Sequence, residues 1–215
     1  MAWLESIGGV EEYEDVVLDA TLVADLERDA AGRAPRPIRF STPTFKDYAS
    51  TELKGCSRNS FPSFSITAGA CGLNCDHCRA EILKPMLAAT SPAMLDQKVR
   101  HLVATQDLQG FLLSGGSNRR NEIPYERFYP VVEQLKRDFP YLSIAIHTAL
   151  TDEAGARAME AAGVDTAMMD VIGAYETIRD VYHLDRPVAD FEATLAALTA
   201  TTMKVSPNPN RQSQK

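Results

Sequence analysis

The sequence predicts an α/β fold, a partial TIM-type (βα) barrel with parallel strands, and three observations lead there. From Phe61 onward short apolar runs alternate with segments of helical pattern, the mark of βα units on a parallel sheet. Glycine and polar residues follow several of those runs directly, at the end of the strands where (βα) barrels keep their sites. With 45% hydrophobic and 24% charged residues over 215 positions, the chain has enough apolar material for one ordinary globular core.

Along the chain, residues 11–28 read as an amphipathic helix, with Tyr13, Val16, Val17, Ala20, Val23, Ala24 and Leu26 forming an apolar stripe among acidic positions. Pro35, Pro37 and Pro43 break residues 33–43 into an extended connector. Strands are predicted at 64–67, 110–114, 142–147 and 165–171, and helices at 95–106, 125–138, 152–162, 175–182 and 188–201. Thr151, Asp152 and Glu153 supply acceptors and negative charge at one helix start, and Gly163 is its stop. Residues 203–205 open a fifth strand, whereas 206–215 are Pro, Asn, Gln and Ser with nothing to bury. The expected organisation is an N-terminal helix and Pro-rich connector over 1–60, a partial barrel of about four to five βα units over 61–205, and a disordered tail over 206–215.

Composition also excludes some functions. A net charge of -7 and a pI near 5.1 give no global field for phosphate backbones or anionic lipid, so nucleic acid and membrane partners are not expected. Glu5, Glu11, Glu12, Glu14 and Asp15 contradict both a secretory leader and a mitochondrial presequence. No apolar run reaches the ~18 residues of a membrane span. The expected setting is a reducing cytoplasm, where closely spaced cysteines signal metal or redox chemistry rather than disulfides.

The informative segment is Ser65-Ile-Thr-Ala-Gly-Ala-Cys71-Gly-Leu-Asn-Cys75-Asp-His-Cys78, which puts three thiols on one loop after the first strand. Iron-sulfur clusters take soft thiolate ligands, and gaps of three and two residues let one loop wrap three corners of a cubane. Three protein ligands leave the fourth iron open to bind a cofactor or substrate. The competing reading is zinc, held by the three cysteines and His77, although the usual zinc pattern has a second separated pair and none follows here. His77 is otherwise a surface loop histidine. Cys56, outside the loop, is either a small buried hydrophobe or a further ligand.

Three further strand ends carry candidates. Gly115 and Gly116 end the second predicted strand ~40 residues after the cysteines, where a missing side chain lets backbone approach a ligand; the alternative is a plain strand-to-loop turn. Ser117 follows them. His147 and Asp170 end the third and fourth strands, either as cofactor or substrate contacts or as caps and solvated loop residues. Arg119, Arg120, His183 and Asp185 read as solvated, with an anionic substrate contact as the lesser reading.

The CxxxCxxC arrangement resembles that of the radical S-adenosylmethionine (SAM) superfamily. The resemblance implies a 4Fe-4S cluster on Cys71, Cys75 and Cys78, with SAM chelated to the open iron and cleaved reductively to a 5'-deoxyadenosyl radical that abstracts hydrogen from an unactivated C-H bond. It implies adenine packing for His77 and contact with the SAM amino group for Gly115 and Gly116. Ser117 stands where the superfamily has an acidic residue, so backbone carbonyls and hydroxyl would replace a carboxylate there. Asp170 would hold the ribose hydroxyls, and His147 would face substrate or SAM. Phe61-Pro-Ser-Phe-Ser-Ile-Thr, Leu112-Leu-Ser-Gly-Gly-Ser117, Asp170-Val-Ile-Gly173 and Glu176-Thr-Ile resemble the biotin synthase and lipoyl synthase branch, most nearly the radical SAM subunits of two-component lipoyl synthases, over about residues 40–205.

That likeness implies sulfur insertion into a protein-bound acyl chain, a reductant of ferredoxin or flavodoxin type, and a second radical SAM subunit as partner. Two departures count against a self-sufficient sulfurtransferase. Only Cys56 is left for a second cluster, and four strands with the start of a fifth fall short of the usual six units, as a truncated product or one completed by a partner would. From a different class, the alternative is a non-catalytic iron-sulfur or zinc module acting through a partner.

Overall fold

The computed structural model describes residues 60–209, all within one compact unit. The helix expected at 11–28, the connector, Cys56 and residues 210–215 lie outside the described residues. Six strands form one wholly parallel sheet: β1 (Ser63–Ser65), β2 (Leu87–Ala88), β3 (Gly110–Ser114), β4 (Ser143–Thr148), β5 (Thr166–Val171) and β6 (Lys204–Pro209). Their spatial order is β2-β1-β3-β4-β5-β6. Apart from β3, which pairs with β1 rather than β2, each strand lies beside its predecessor, and because every pairing is parallel all carboxyl ends point the same way. Among the described residues the sheet has two edges, β2 and β6, which agrees with the partial barrel expected.

Among the described residues five α-helices connect the strands from β2 onward, the last two both between β5 and β6: α1 (Pro92–Thr105), α2 (Tyr129–Asp138), α3 (Glu153–Ala161), α4 (Tyr175–Asp180) and α5 (Val188–Thr199). Their ends follow local chemistry. Ser91 caps α1 by accepting the Met94 N–H at 3.2 Å, with Pro92 in the first turn. Asp152 accepts the Gly155 N–H at 2.8 Å to cap α3, and Gly163 beyond it adopts φ +85°, the left-handed stop the sequence predicts. The segment predicted as one helix over 125–138 instead begins as a 3-10 turn, Glu126–Phe128, before α2.

The core is continuous across the sheet. Phe64, Phe111, Leu113, Ile144, Ile146 and Ala167 are fully buried and share one face of the sheet, whereas Leu112, His147 and Met168 on the opposite face are half-buried. Leu95 and Val99 of α1, and Val132 and Leu135 of α2, close over them. Asp165, just before β5, accepts the Ile144 N–H at 2.7 Å and bonds Lys136 Nζ through both oxygens, fixing α2 against the sheet.

Two expectations are corrected. β2 was not anticipated: two residues carry no periodicity, and the strand exists only because Leu87 and Ala88 pair with Phe64 and Ser65. Residues 206–209, expected in a disordered tail, instead extend β6. In a parallel pair alternate residues turn both backbone groups to the same neighbour. The Lys204 N–H donates to Asp165 O at 2.9 Å, so Ser206 and Asn208 also face β5, and Pro207 and Pro209 fall on the outward parity, where no donor is needed. Among the described residues no helix is long and apolar enough to cross a membrane.

Candidate functional site

The loop after β1 is held from two sides. On one, the Gly72 N–H donates to Ser117 O at 2.7 Å and Cys71 Sγ lies 3.8 Å from the same oxygen. The Gly116 N–H donates to Thr67 Oγ1 at 2.7 Å. A Cβ on Gly116 would stand 2.0 Å from Ala70 O and 2.6 Å from Cys71 Cα, so this glycine is what lets the end of β3 run beneath the cysteine loop. On the other side, Cys75 is buried and its Sγ–H donates to Tyr182 O at 3.9 Å. The Cys78 and Arg79 N–H groups both return to Cys75 O, at 3.2 and 2.8 Å.

This turn carries backbone strain. Ala68, Asn74, Arg79 and Ala80 all have positive φ, between 46° and 60°, a region that costs non-glycine residues free energy and concentrates at functional sites.

At the ends of β4 and β5 the charged groups converge. His147 Nε2 lies 3.7 Å from Asp170 Oδ1, an ion-pair contact when the imidazole is protonated. Tyr182 Oη donates to Asp170 Oδ2 at 3.4 Å, and its ring lies 4.8 Å from that of His77. Burial pushes the Asp170 carboxyl up, yet the nearby His147, with His77 and the Tyr182 hydroxyl, outweighs that and holds it below the ordinary carboxylate range. A partly buried carboxylate that stays ionised is a ready acceptor for hydroxyl groups.

Burial first, then the neighbouring Cys78 and Cys71 sulfurs, push the Cys75 thiol from 9.0 up to about 12. Cys78 is also raised, again chiefly by burial. The folded, metal-free protein therefore favours the thiol more than the unfolded chain does. That contribution to stability is complete below about pH 9 and is lost as pH rises toward about 12. Melting temperatures of the metal-free protein are expected to fall over this range. The buried phenols of Tyr125 and Tyr129 are raised as well and add a decline of the same sign. A Cys75→Ala variant isolates the thiol, since its decline should be shallower; identical slopes would remove Cys75 from the account. Metal binding to these thiols must displace protons.

All nine residues singled out by sequence line one cavity of about 450 Å³ at the carboxyl end of the sheet: Cys71, Cys75, His77, Cys78, Gly115, Gly116, Ser117, His147 and Asp170. Tyr182, Leu83, Met86 and Asn208 also line it and carried no motif. Tyr182 was read only as the end of a helix, and Asn208 as tail. The group read as solvated is exposed throughout: Arg119, Arg120, His183 and Asp185 all face solvent, with Arg120 pairing with Glu122 at 2.9 Å, His183 Nε2 contacting Asp76 Oδ1 at 3.2 Å and Asp185 accepting from Tyr175 Oη at 3.2 Å.

Cys71, Cys75 and Cys78 are free thiols of one loop lining one cavity, and three soft thiolate donors fit a cubane that takes each on a different iron.

No protein-family model matches the sequence, and no curated protein matches it. Among solved structures the chain is similar in fold to methylornithine synthase (PylB), with a TM-score of 0.52 and 14% identity over 68% of this chain and 43% of that one. BtrN, solved in complex with AdoMet and 2-DOIA, aligns at a TM-score of 0.39 and 16% identity over 70% of this chain and 56% of that one. The chain thus spans about half the length of these structures or less. Fold and site together define a parallel α/β protein with a cysteine-lined cavity at the carboxyl end of its sheet.

Proposed function

We propose that this chain is a radical SAM protein in which Cys71, Cys75 and Cys78 hold a 4Fe-4S cluster with one iron left for SAM. One observation carries the reading: three thiols of a single loop share a cavity with the glycine end of β3 and with Asp170, at the site-bearing end of a parallel sheet. When bound, cluster and SAM supply the reductive cleavage that yields a carbon-centred radical able to abstract hydrogen from an unactivated C-H bond.

The protein's own groups position and shield. Gly115 and Gly116 would admit the SAM amino group to backbone carbonyls, with Ser117 beside them in place of an acidic side chain. Asp170, kept ionised, would accept from the ribose hydroxyls, and His147 beside it would face SAM or substrate. His77, backed by the Tyr182 ring, would pack over the adenine. Buried Leu83 and the neighbouring Met86 exclude water from the cavity wall.

The finer reading is sulfur insertion into a protein-bound acyl chain, as in the lipoyl synthase branch, fed by a ferredoxin- or flavodoxin-type reductant and working with a second radical SAM subunit. The two-component likeness of residues 61–67, 71–78 and 112–117 supports it.

The test is anaerobic reconstitution with iron and sulfide. The wild type is expected to turn brown and take about four irons per chain, and a Cys71/Cys75/Cys78 triple alanine variant less than about a tenth of that. Equal iron in both would sink the cysteine assignment. A colourless protein that takes zinc stoichiometrically would favour the non-catalytic module.

A further inference from the structure

We infer that residues 181–183 form a clasp that orders the second half of the cysteine loop, residues 75–77, before any metal is bound, with Tyr182 as its positioning residue. The importance of that half rests on the cluster reading above, but the clasp itself is a property of the metal-free chain.

Three consecutive residues meet three consecutive residues more than a hundred positions away. The Asp76 N–H donates to Val181 O at 3.0 Å. Cys75 Sγ donates to Tyr182 O at 3.9 Å, and the His77 and Tyr182 rings lie 4.8 Å apart at 45°. His183 Nε2 reaches Asp76 Oδ1 at 3.2 Å. Every residue on each side is engaged by backbone, ring or side chain.

The clasp is anchored to the body of the fold. The Tyr182 N–H donates to Thr177 O at 3.2 Å and the Leu184 N–H to Ile178 O at 3.0 Å, tying it to α4. Tyr182 is 5% exposed. His183 sits at φ +57°, a conformation a histidine keeps only when its surroundings hold it there. The first half of the loop has a different anchor, Ser117 O, which takes the Gly72 N–H and Cys71 Sγ–H. The two halves can therefore loosen separately, and this sets the clasp apart from general packing. A loop already ordered at Cys75 meets incoming iron without first losing conformational entropy there.

Residue-resolved alkylation of the full metal-free chain under anaerobic conditions tests this. With iodoacetamide as probe and mass spectrometry to separate the three cysteines, Cys75 in the wild type should react about tenfold more slowly than Cys71. Tyr182→Ala, which removes the ring packed on His77 and leaves the backbone carbonyl, should speed Cys75 by about tenfold and leave Cys71 within about twofold, while Tyr182→Phe, which keeps the ring, should restore the wild-type pattern. An unchanged Cys75 rate in folded Tyr182→Ala overturns the clasp, as does acceleration of both cysteines together. Should circular dichroism show Tyr182→Ala unfolded, His183→Ala decides: about threefold faster Cys75 alone supports the clasp, and no change overturns it. Because no iron is present, a failed cluster reconstitution leaves this result standing, and a failed clasp leaves the cluster reading intact.

Discussion

Replacing Gly116 with alanine is expected to cost the metal-free domain about 1–3 kcal/mol and to cut iron loading by about fivefold or more. The added Cβ would lie 2.0 Å from Ala70 O and 2.7 Å from Cys71 Cβ. Neither neighbour is the loose end of a flexible side chain. Ala70 is backbone in the cysteine loop, and Cys71 is held to Ser117 O through its Sγ and the adjacent Gly72 N–H. Relief must therefore come from moving the loop off the end of β3, which displaces a proposed ligand. Gly69→Ala is the matched control: a Cβ there meets no heavy atom within 4 Å among the described residues. It should change stability by no more than about 0.5 kcal/mol and leave loading unaltered. Urea melts and iron content of both variants check this; similar behaviour of the two would contradict the packing of β3 beneath the loop.

Asp170→Asn is expected to weaken SAM binding roughly ten- to hundredfold, the loss of a charge-assisted hydrogen bond of about 1.5–3 kcal/mol. The replacement conserves shape and one acceptor oxygen but removes the charge that His147, His77 and Tyr182 stabilise. Asp170 is not among the proposed cluster ligands, so iron content should stay within about twofold of the wild type. This separation makes the result informative. Equilibrium dialysis with labelled SAM on reconstituted protein measures the affinity. An unchanged affinity would remove Asp170 from the SAM site, and a parallel loss of iron would make it structural.

Much of this was legible in the sequence because it rests on local chemistry. Asp152 and Gly163 bracket α3 through a cap and a left-handed stop that need only near neighbours. Apolar runs such as Phe111 to Leu113 and Ile144 to Ile146 mark strands, with Phe111, Leu113, Ile144 and Ile146 fully buried on one face. The spacing of Cys71, Cys75 and Cys78, with glycine or a polar residue at each following strand end, marks in the sequence the residues that line one cavity.

What was not legible depends on contacts between distant segments. β2 is two residues long and defined by its partner alone. Pro207 and Asn208 read as tail because neither carries apolar signal, yet the outward parity of β6 accommodates a missing N–H. Tyr182 and His183 meet the cysteine loop across the fold, and nothing in the sequence around them distinguishes a clasp from a helix end.

The most direct test of the central claim is SAM cleavage. Reconstituted wild-type protein, reduced with dithionite under strict anaerobiosis and given SAM, should release 5'-deoxyadenosine and methionine, whereas the Cys71/Cys75/Cys78 triple alanine variant should release neither. A wild type that carries its cluster but neither binds nor cleaves SAM would contradict the account.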